Sequence, residues 1–237
     1  MEIKKEKEGF VLKILQISDL HITAHRNLLA PMIQAINNEP VDLVVVTGDT
    51  VHECTKELLD KAREGLNQIK HRVVVLPGDY DNGQLWEEYF GKSRLNSINL
   101  NSYCLDFIDT SFMKHKFFYG WGDLMKTEDP EQYEWFKEQL KIDRYHLVFS
   151  HHPFWTVPRK EGDEFLTDNV RAMYSGHLHD PMKFYFKYDK PRASFPNGFV
   201  ATPLKFHGSS CYLVILVKEN NEMVNIPRVV LPKRTAW

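Results

Sequence analysis

Five stretches of this chain place Asp or His directly after an apolar run. They are Ile17-Ser18-Asp19-Leu20-His21, Val46-Thr47-Gly48-Asp49, Leu76-Pro77-Gly78-Asp79-Tyr80-Asp81, Phe149-Ser150-His151-His152-Pro153 and Tyr174-Ser175-Gly176-His177-Leu178-His179. Carboxylates and imidazoles are ligands for divalent ions, and a carboxylate can also bridge two of them. The Asp-x-His and His-x-His spacings matter because side chains two apart on an extended segment point to the same side and can reach one cluster. A single junction of this kind is ordinary: Gly-Asp is most often a turn, and a lone His after a strand is more often hydrogen-bonded than ligating. Five such junctions, each offering a ligand type, point together to a metal site built from Asp19, His21, Asp49, Asp79, His151, His177 and His179. Mixed His and Asp ligation favours Mn, Fe, Zn or Co over calcium, and suits magnesium less, since magnesium prefers oxygen ligands and keeps much of its hydration.

The elements that must carry these residues alternate along the first ninety or so positions. Apolar runs at 12–17, 41–46 and 72–76 read as buried strands, separated by helices over 27–38 and 55–70, with a short helix over 82–91 after the third strand. The helix over 27–38 carries Leu28, Leu29, Met32, Ile33 and Ile36 at helical spacing and stops at Glu39-Pro40. The one over 55–70 places Leu58, Leu59, Ala62, Leu66 and Ile69 on one face, with Thr55 as its cap. Alternation of this kind predicts parallel crossovers with ligand positions at the carboxyl ends of the strands. Further on, runs at 103–108 and 116–119 suggest an antiparallel pair. A proline-opened helix over 130–141 leads to strands at 145–149 and 170–174, each followed within three residues by histidine. Strands at 183–188, 210–217 and 224–231 complete the pattern. The aromatic and basic alternation at 183–188 matches a half-buried strand better than a nucleic-acid strip.

Bulk properties narrow the class. Length and a 43% hydrophobic content suit one domain over 1–237. Lysine and arginine number 30 against 32 acidic residues, so no overall field draws in nucleic acid or an anionic membrane, although a local patch is compatible with that balance. The start of the chain, with Lys4-Lys5-Glu6-Lys7-Glu8, resembles neither a signal peptide nor a membrane anchor. Cys54, Cys104 and Cys211 are widely spaced and in no metal-type pair, which fits buried, reduced thiols and a cytoplasmic protein. Oligomeric state has no signature here.

The ordered set Asp19-x-His21, Gly48-Asp49, Gly78-Asp79-Tyr80-Asp81, Ser150-His151-His152-Pro153 and Gly176-His177-x-His179 resembles the calcineurin-like metallophosphoesterases over about residues 12–180. The resemblance implies an α/β fold, a four-layer αββα sandwich of two mixed β-sheets flanked by helices, with two divalent metal ions at the strand ends. Carried over by position, Asp19, His21, Asp49 and His179 would hold one ion. Asp49, Asp79, His151 and His177 would hold the other, with Asp49 as the bridge. Two ions about 3.5 to 4 Å apart offset charge on the phosphoryl oxygens and lower the pKa of a water between them, so that hydroxide attacks phosphorus in line with the leaving oxygen. A phosphoester substrate follows from that chemistry.

The third junction departs from the usual Gly-Asn-His-Asp. Asp79 keeps an oxygen ligand and adds a negative charge, which should make the centre less electrophilic while holding its ions more firmly. Tyr80 replaces the family histidine that faces the substrate. A phenol, with an ordinary pKa of about 10, donates a hydrogen bond but lacks the charge and near-neutral titration of imidazole. Tyr80, Asp81 and His152 are therefore the candidates for roles beside the metals, His152 either orienting substrate or packing. Loss of the imidazole acid should hurt monoesters of poor leaving groups most, so the leading reading is a phosphodiesterase for a small-molecule or nucleotide diester. The alternatives are a catalytically weakened scaffold, or a monoesterase, protein phosphatase or nuclease of the same fold. His207 is a candidate pocket residue, with an ordinary surface position the commoner reading.

Overall fold

The computed structural model describes residues 9–25, 27, 29–81, 83–92, 94–113, 121–153, 165, 167–177, 182–184, 197–200 and 210–230. The first strand, β1 (Phe10–Ile17), is followed by α1 (Ile33–Asn38), β2 (Leu43–Thr47), α2 (Lys56–Leu66) and β3 (Val73–Leu76). These are the expected crossovers: β1 runs parallel to β2, and β2 parallel to β3. The helix α1 is shorter than its apolar spacing suggests. Asn27 Oδ1 accepts the backbone N–H groups of Leu29 and Ala30, a local turn that competes with helix over the first residues of that stretch. The apolar face survives, with Leu29, Met32 and Ile36 fully buried. Thr55 caps α2, its side chain accepting Leu58 N–H, and the helix buries Leu58, Leu59, Ala62 and Leu66 as the spacing predicts.

The short helix α3 (Gln84–Phe90) buries Trp86 and leads to β4 (Asn96–Leu100) and β5 (Tyr103–Ile108). These two form a hairpin turned at Asn101, whose φ of 54° is the left-handed conformation such tight turns need. The pairing expected between 103–108 and 116–119 is therefore corrected. One edge of β5 is taken by β4 and the other by the parallel strand β6 (Tyr145–Ser150), so neither edge is open to 116–119, which lies outside the described residues. Two helices fill the connection from β5 to β6. One, α4 (Trp121–Glu128), has no counterpart in the sequence reading; the other, α5 (Pro130–Gln139), begins at proline with Asp129 as its cap. The rest is β7 (Val170–Ser175), β8 (Met182–Phe184), β9 (Asn197–Val200), β10 (Ser210–Lys218) and β11 (Met223–Val230).

Two mixed sheets result, five-stranded in the order β11-β10-β1-β2-β3 and six-stranded in the order β4-β5-β6-β7-β9-β8. Alternation along each strand sorts the apolar residues into three cores. Leu12, Ile14, Leu43 and Val45 face Leu105, Phe107, Phe149 and Tyr174 between the sheets. Leu15, Ile17, Val44 and Val46 pack with Leu29, Ile36, Leu59 and Trp86 under α1, α2 and α3. Ile108, Val148 and Met173 meet Tyr133 and Phe136 of α5. Three apolar layers between four layers of backbone are the αββα sandwich that the resemblance implied. Within it Cys104 is buried and Cys54 half-buried, both as free thiols. No helix among the described residues is long and apolar enough to cross a membrane.

Candidate metal centre

The carboxyl ends of β1, β2 and β3 in one sheet meet those of β6 and β7 in the other, and the junction residues sit where they meet. Three contacts tie the sheets together there. Gln16 Nε2 donates to Ser175 O at 3.0 Å, His151 Nδ1 lies 2.9 Å from Thr47 O, and His177 N–H donates to Asp19 Oδ2 at 3.0 Å. The backbone is bent sharply at these points. Asp19, His21, Asp49 and His177 have φ values of 53°, 42°, 51° and 70°, a left-handed conformation that is uncommon outside glycine and collects at functional sites. Asp19 N–H donates to Gly48 O at 2.9 Å and His21 N–H to Asp49 O at 2.8 Å, so the first two junctions brace each other. Gly78 is required by close approach, since a methyl group there would overlap Asp49 N and Asp49 Oδ1.

The side chains form two adjoining sets. Asp19, His21 and Asp49 make one; Asp79, His151, His152 and His177 make the other; within each, potential ligand atoms lie no more than 4.8 Å apart. Asp49 joins them: its Oδ2 is 3.5 Å from His21 Nε2 and also 3.5 Å from His151 Nε2. Asp79 divides its oxygens, with Oδ1 3.0 Å from His152 Nε2 and Oδ2 3.5 Å from His177 Nδ1. His179 lies outside the described residues, as does His207.

The donor set fits cations. Thr47 O can only accept, so His151 Nδ1 carries the hydrogen between them, and Nε2 is the nitrogen facing Asp49. That buried nitrogen has no hydrogen-bond partner among the described residues. Burial, with the nearby Asp19 and Asp79 carboxylates, pushes Asp49 up to about 6 even though His151 opposes the shift. Burial also works against charge on Asp79, but the hydrogen bond from His152 and the charges of His152, His151 and His177 hold its carboxyl down at about 2. Burial and the neighbouring His152 and His151 lower His177 to about 3, which favours the neutral, lone-pair-bearing form that ligates a metal. Burial works against charge on His151, yet Asp49 and Asp19 raise it, so three carboxylates held close in a buried site draw positive charge in between them.

The residues expected beside the metals have unequal places. His152 is buried and belongs to the second ligand-type set, with Nε2 on Asp79 and Nδ1 3.1 Å from Thr110 Oγ1. Asp81 is wholly buried. Its oxygens accept the backbone N–H groups of Thr50 at 2.7 Å, Val51 at 3.0 Å and Gly78 at 3.3 Å. This carboxylate pins the third junction to the second; burial, then Asp49, pushes it up to about 7. Tyr80 is 43% exposed, and its N–H donates to Asp49 Oδ1 at 3.1 Å. A further ligand-type set, Cys104, Asp106 and His146, was not singled out in the sequence. All three are fully buried and already engaged: His146 Nδ1 is 2.6 Å from Asp106 Oδ2, and Cys104 Sγ donates to Asp106 Oδ1 at 3.3 Å. Burial and Asp106 push the Cys104 thiol up to about 12, which keeps it protonated beside the Asp106 carboxylate.

Comparison with known proteins identifies the family. A protein from Vesicomyosocius okutanii named a probable cyclic nucleotide phosphodiesterase is 24% identical over 196 residues, covering 72% of this chain and 80% of its own. One from Fibrobacter succinogenes with a similar name is 29% identical over 204 residues, covering 74% and 75%. Among solved structures, a purple acid phosphatase from yellow lupin seeds superposes with a TM-score of 0.61 at 12% identity, over 93% of this chain but only 52% of the lupin enzyme, a likeness of fold. Residues 12–181, which hold all five junctions, match the calcineurin-like phosphoesterase family. By that match and by the ligand-type residues its strands bring together, the chain belongs to the calcineurin-like phosphoesterases, which are metal-dependent phosphoester hydrolases.

Proposed function

We propose that this protein is a two-metal phosphodiesterase acting on a small-molecule or nucleotide diester. The observation that carries the reading is the position of Asp49 Oδ2, equidistant at 3.5 Å from an imidazole of each ligand set. On this reading Asp19, His21 and Asp49, with His179, hold one ion, and Asp49, Asp79, His151 and His177 hold the other. When bound, such a pair supplies Lewis-acid stabilisation of the phosphoryl oxygens and an activated water. The chain's own residues then have separable tasks. Thr47 O fixes His151 so that Nε2 faces Asp49, His152 orients Asp79 and neutralises part of its charge, and Asp81 positions the turn that carries both Asp79 and Tyr80.

Diester over monoester is favoured by what stands at Tyr80. No imidazole occupies that position to protonate a leaving group, and the loss weighs most on monoesters of poorly departing alcohols. The names of the two bacterial relatives support the same preference. The test is hydrolysis of bis(p-nitrophenyl) phosphate against p-nitrophenyl phosphate by the manganese-loaded protein. A higher kcat/KM for the diester is expected; preference for the monoester would overturn the assignment, and isolation of the protein without transition metal would favour an interaction scaffold instead.

A further inference from the structure

We propose that Tyr80 and His52 form an aromatic shelf on which the base of a nucleotide substrate stacks, so that this pair selects nucleotide phosphodiesters over aliphatic ones. The inference rests on the phosphodiesterase reading above and adds the feature that recognises the rest of the substrate. The Tyr80 and His52 rings lie 5.0 Å apart and within 21° of parallel, and His21 meets both edge-on, at 5.2 Å from Tyr80 and 5.7 Å from His52. Tyr80 is one of three large hydrophobic side chains exposed among the described residues, and His52 is exposed as well. An aromatic surface left open beside a buried polar centre is what a ligand with both a phosphate and a flat ring would cover.

The backbone that carries the two rings is tied to its neighbours. Ile22 and Val51 form a parallel bridge, His52 N–H donates to Ile22 O at 3.0 Å, and Tyr80 N–H is anchored on Asp49 Oδ1 at 3.1 Å. Holding that backbone in place lowers the ordering cost of recognition. The anchoring of Tyr80 on Asp49 also fixes which part of a ligand can reach the ring. The Tyr80 ring lies 5.2 Å from the ring of His21, a member of the ligand-type set, and in a nucleotide one sugar separates phosphate from base. Every base has a π-face, so such a platform distinguishes aromatic from aliphatic esters without selecting one base strongly.

Calorimetric titration of the manganese-loaded protein with adenosine monophosphate and with ribose phosphate tests this directly, because the two probes share phosphate and sugar and differ in the base. The wild-type protein should bind adenosine monophosphate about 5- to 150-fold more tightly, the range contributed by one base on one aromatic ring. Tyr80→Phe should keep the ratio, Tyr80→Leu should bring it close to unity, and His52→Leu should reduce it. A ratio near unity in the wild type, or one unchanged by Tyr80→Leu, overturns the shelf while leaving the metal centre intact. Failure of both probes and of inorganic phosphate to bind overturns the phosphodiesterase reading and the shelf with it.

Discussion

At the scale of single residues, the third junction separates into three roles that adjoin in sequence and differ in chemistry. Asp79 faces two imidazoles, Tyr80 stands exposed above the centre, and Asp81 is buried with three backbone N–H groups on its oxygens. Asp81→Ala would strand those N–H groups and should destabilise the protein by about 1–3 kcal/mol, read from a denaturant midpoint at constant slope. Because the same carboxylate holds the turn carrying Asp79, metal affinity should fall about 10- to 100-fold, measured by competition with a chelator. Asp81→Asn, which keeps one acceptor oxygen, should recover part of both losses. A variant with normal stability and normal metal affinity would show that Asp81 is not the clamp. The third junction made Asp81 a candidate for a role beside the metals, but what its carboxylate contacts depends on Thr50 and Val51, about thirty positions earlier in the chain.

At the scale of elements, the centre depends on strands that stop together and on turns tight enough to let their ends touch. Gly78 shows how little room there is, with Asp49 lying where its side chain would be. Gly78→Ala should therefore displace Asp49 and lower the bound metal to less than half of the wild-type content by elemental analysis, while circular dichroism remains that of the folded protein. Retention of full metal content would mean that the two junctions can move apart without loss. The strands and longer helices were legible because their apolar residues follow periods of two or 3.6. The β4–β5 hairpin was only half legible, since Asn96, Ser97 and Asn99 dilute the strand pattern and Asn101 makes its turn by adopting a left-handed φ. Asn27 shortened α1 by a side-chain hydrogen bond that apolar spacing does not register.

At the scale of the molecule, the two sheets must hold a fixed distance for Asp19 and Asp49 from one to meet His151 and His177 from the other. Phe107, Phe149 and Tyr174 provide much of that spacing: Phe149 stacks on Phe107 at 5.8 Å and on Tyr174 at 5.2 Å, within the core between the sheets. Phe149→Ala should cost about 3–5 kcal/mol of stability through lost burial and the cavity left behind. Chemical denaturation measures that cost, and a loss below about 1 kcal/mol would show that the layer closes up around the gap. Gln16, buried in the same region and donating to Ser175 O, adds a polar tie at the mouth of the site.

The ligand types, their order and the strands that carry them were determined by sequence alone, because each junction is a local event in which an apolar run ends and a charged side chain follows. Family membership followed from that order. Which side chains share an oxygen, which are clamps and which stand open were decided only by the tertiary structure. Asp49 lies between His21 and His151 because two sheets pack face to face, and Tyr80 stacks on His52 because Asp49 and Asp81 hold the two turns together. Such contacts join residues tens to more than a hundred positions apart, and no periodicity along the chain encodes them.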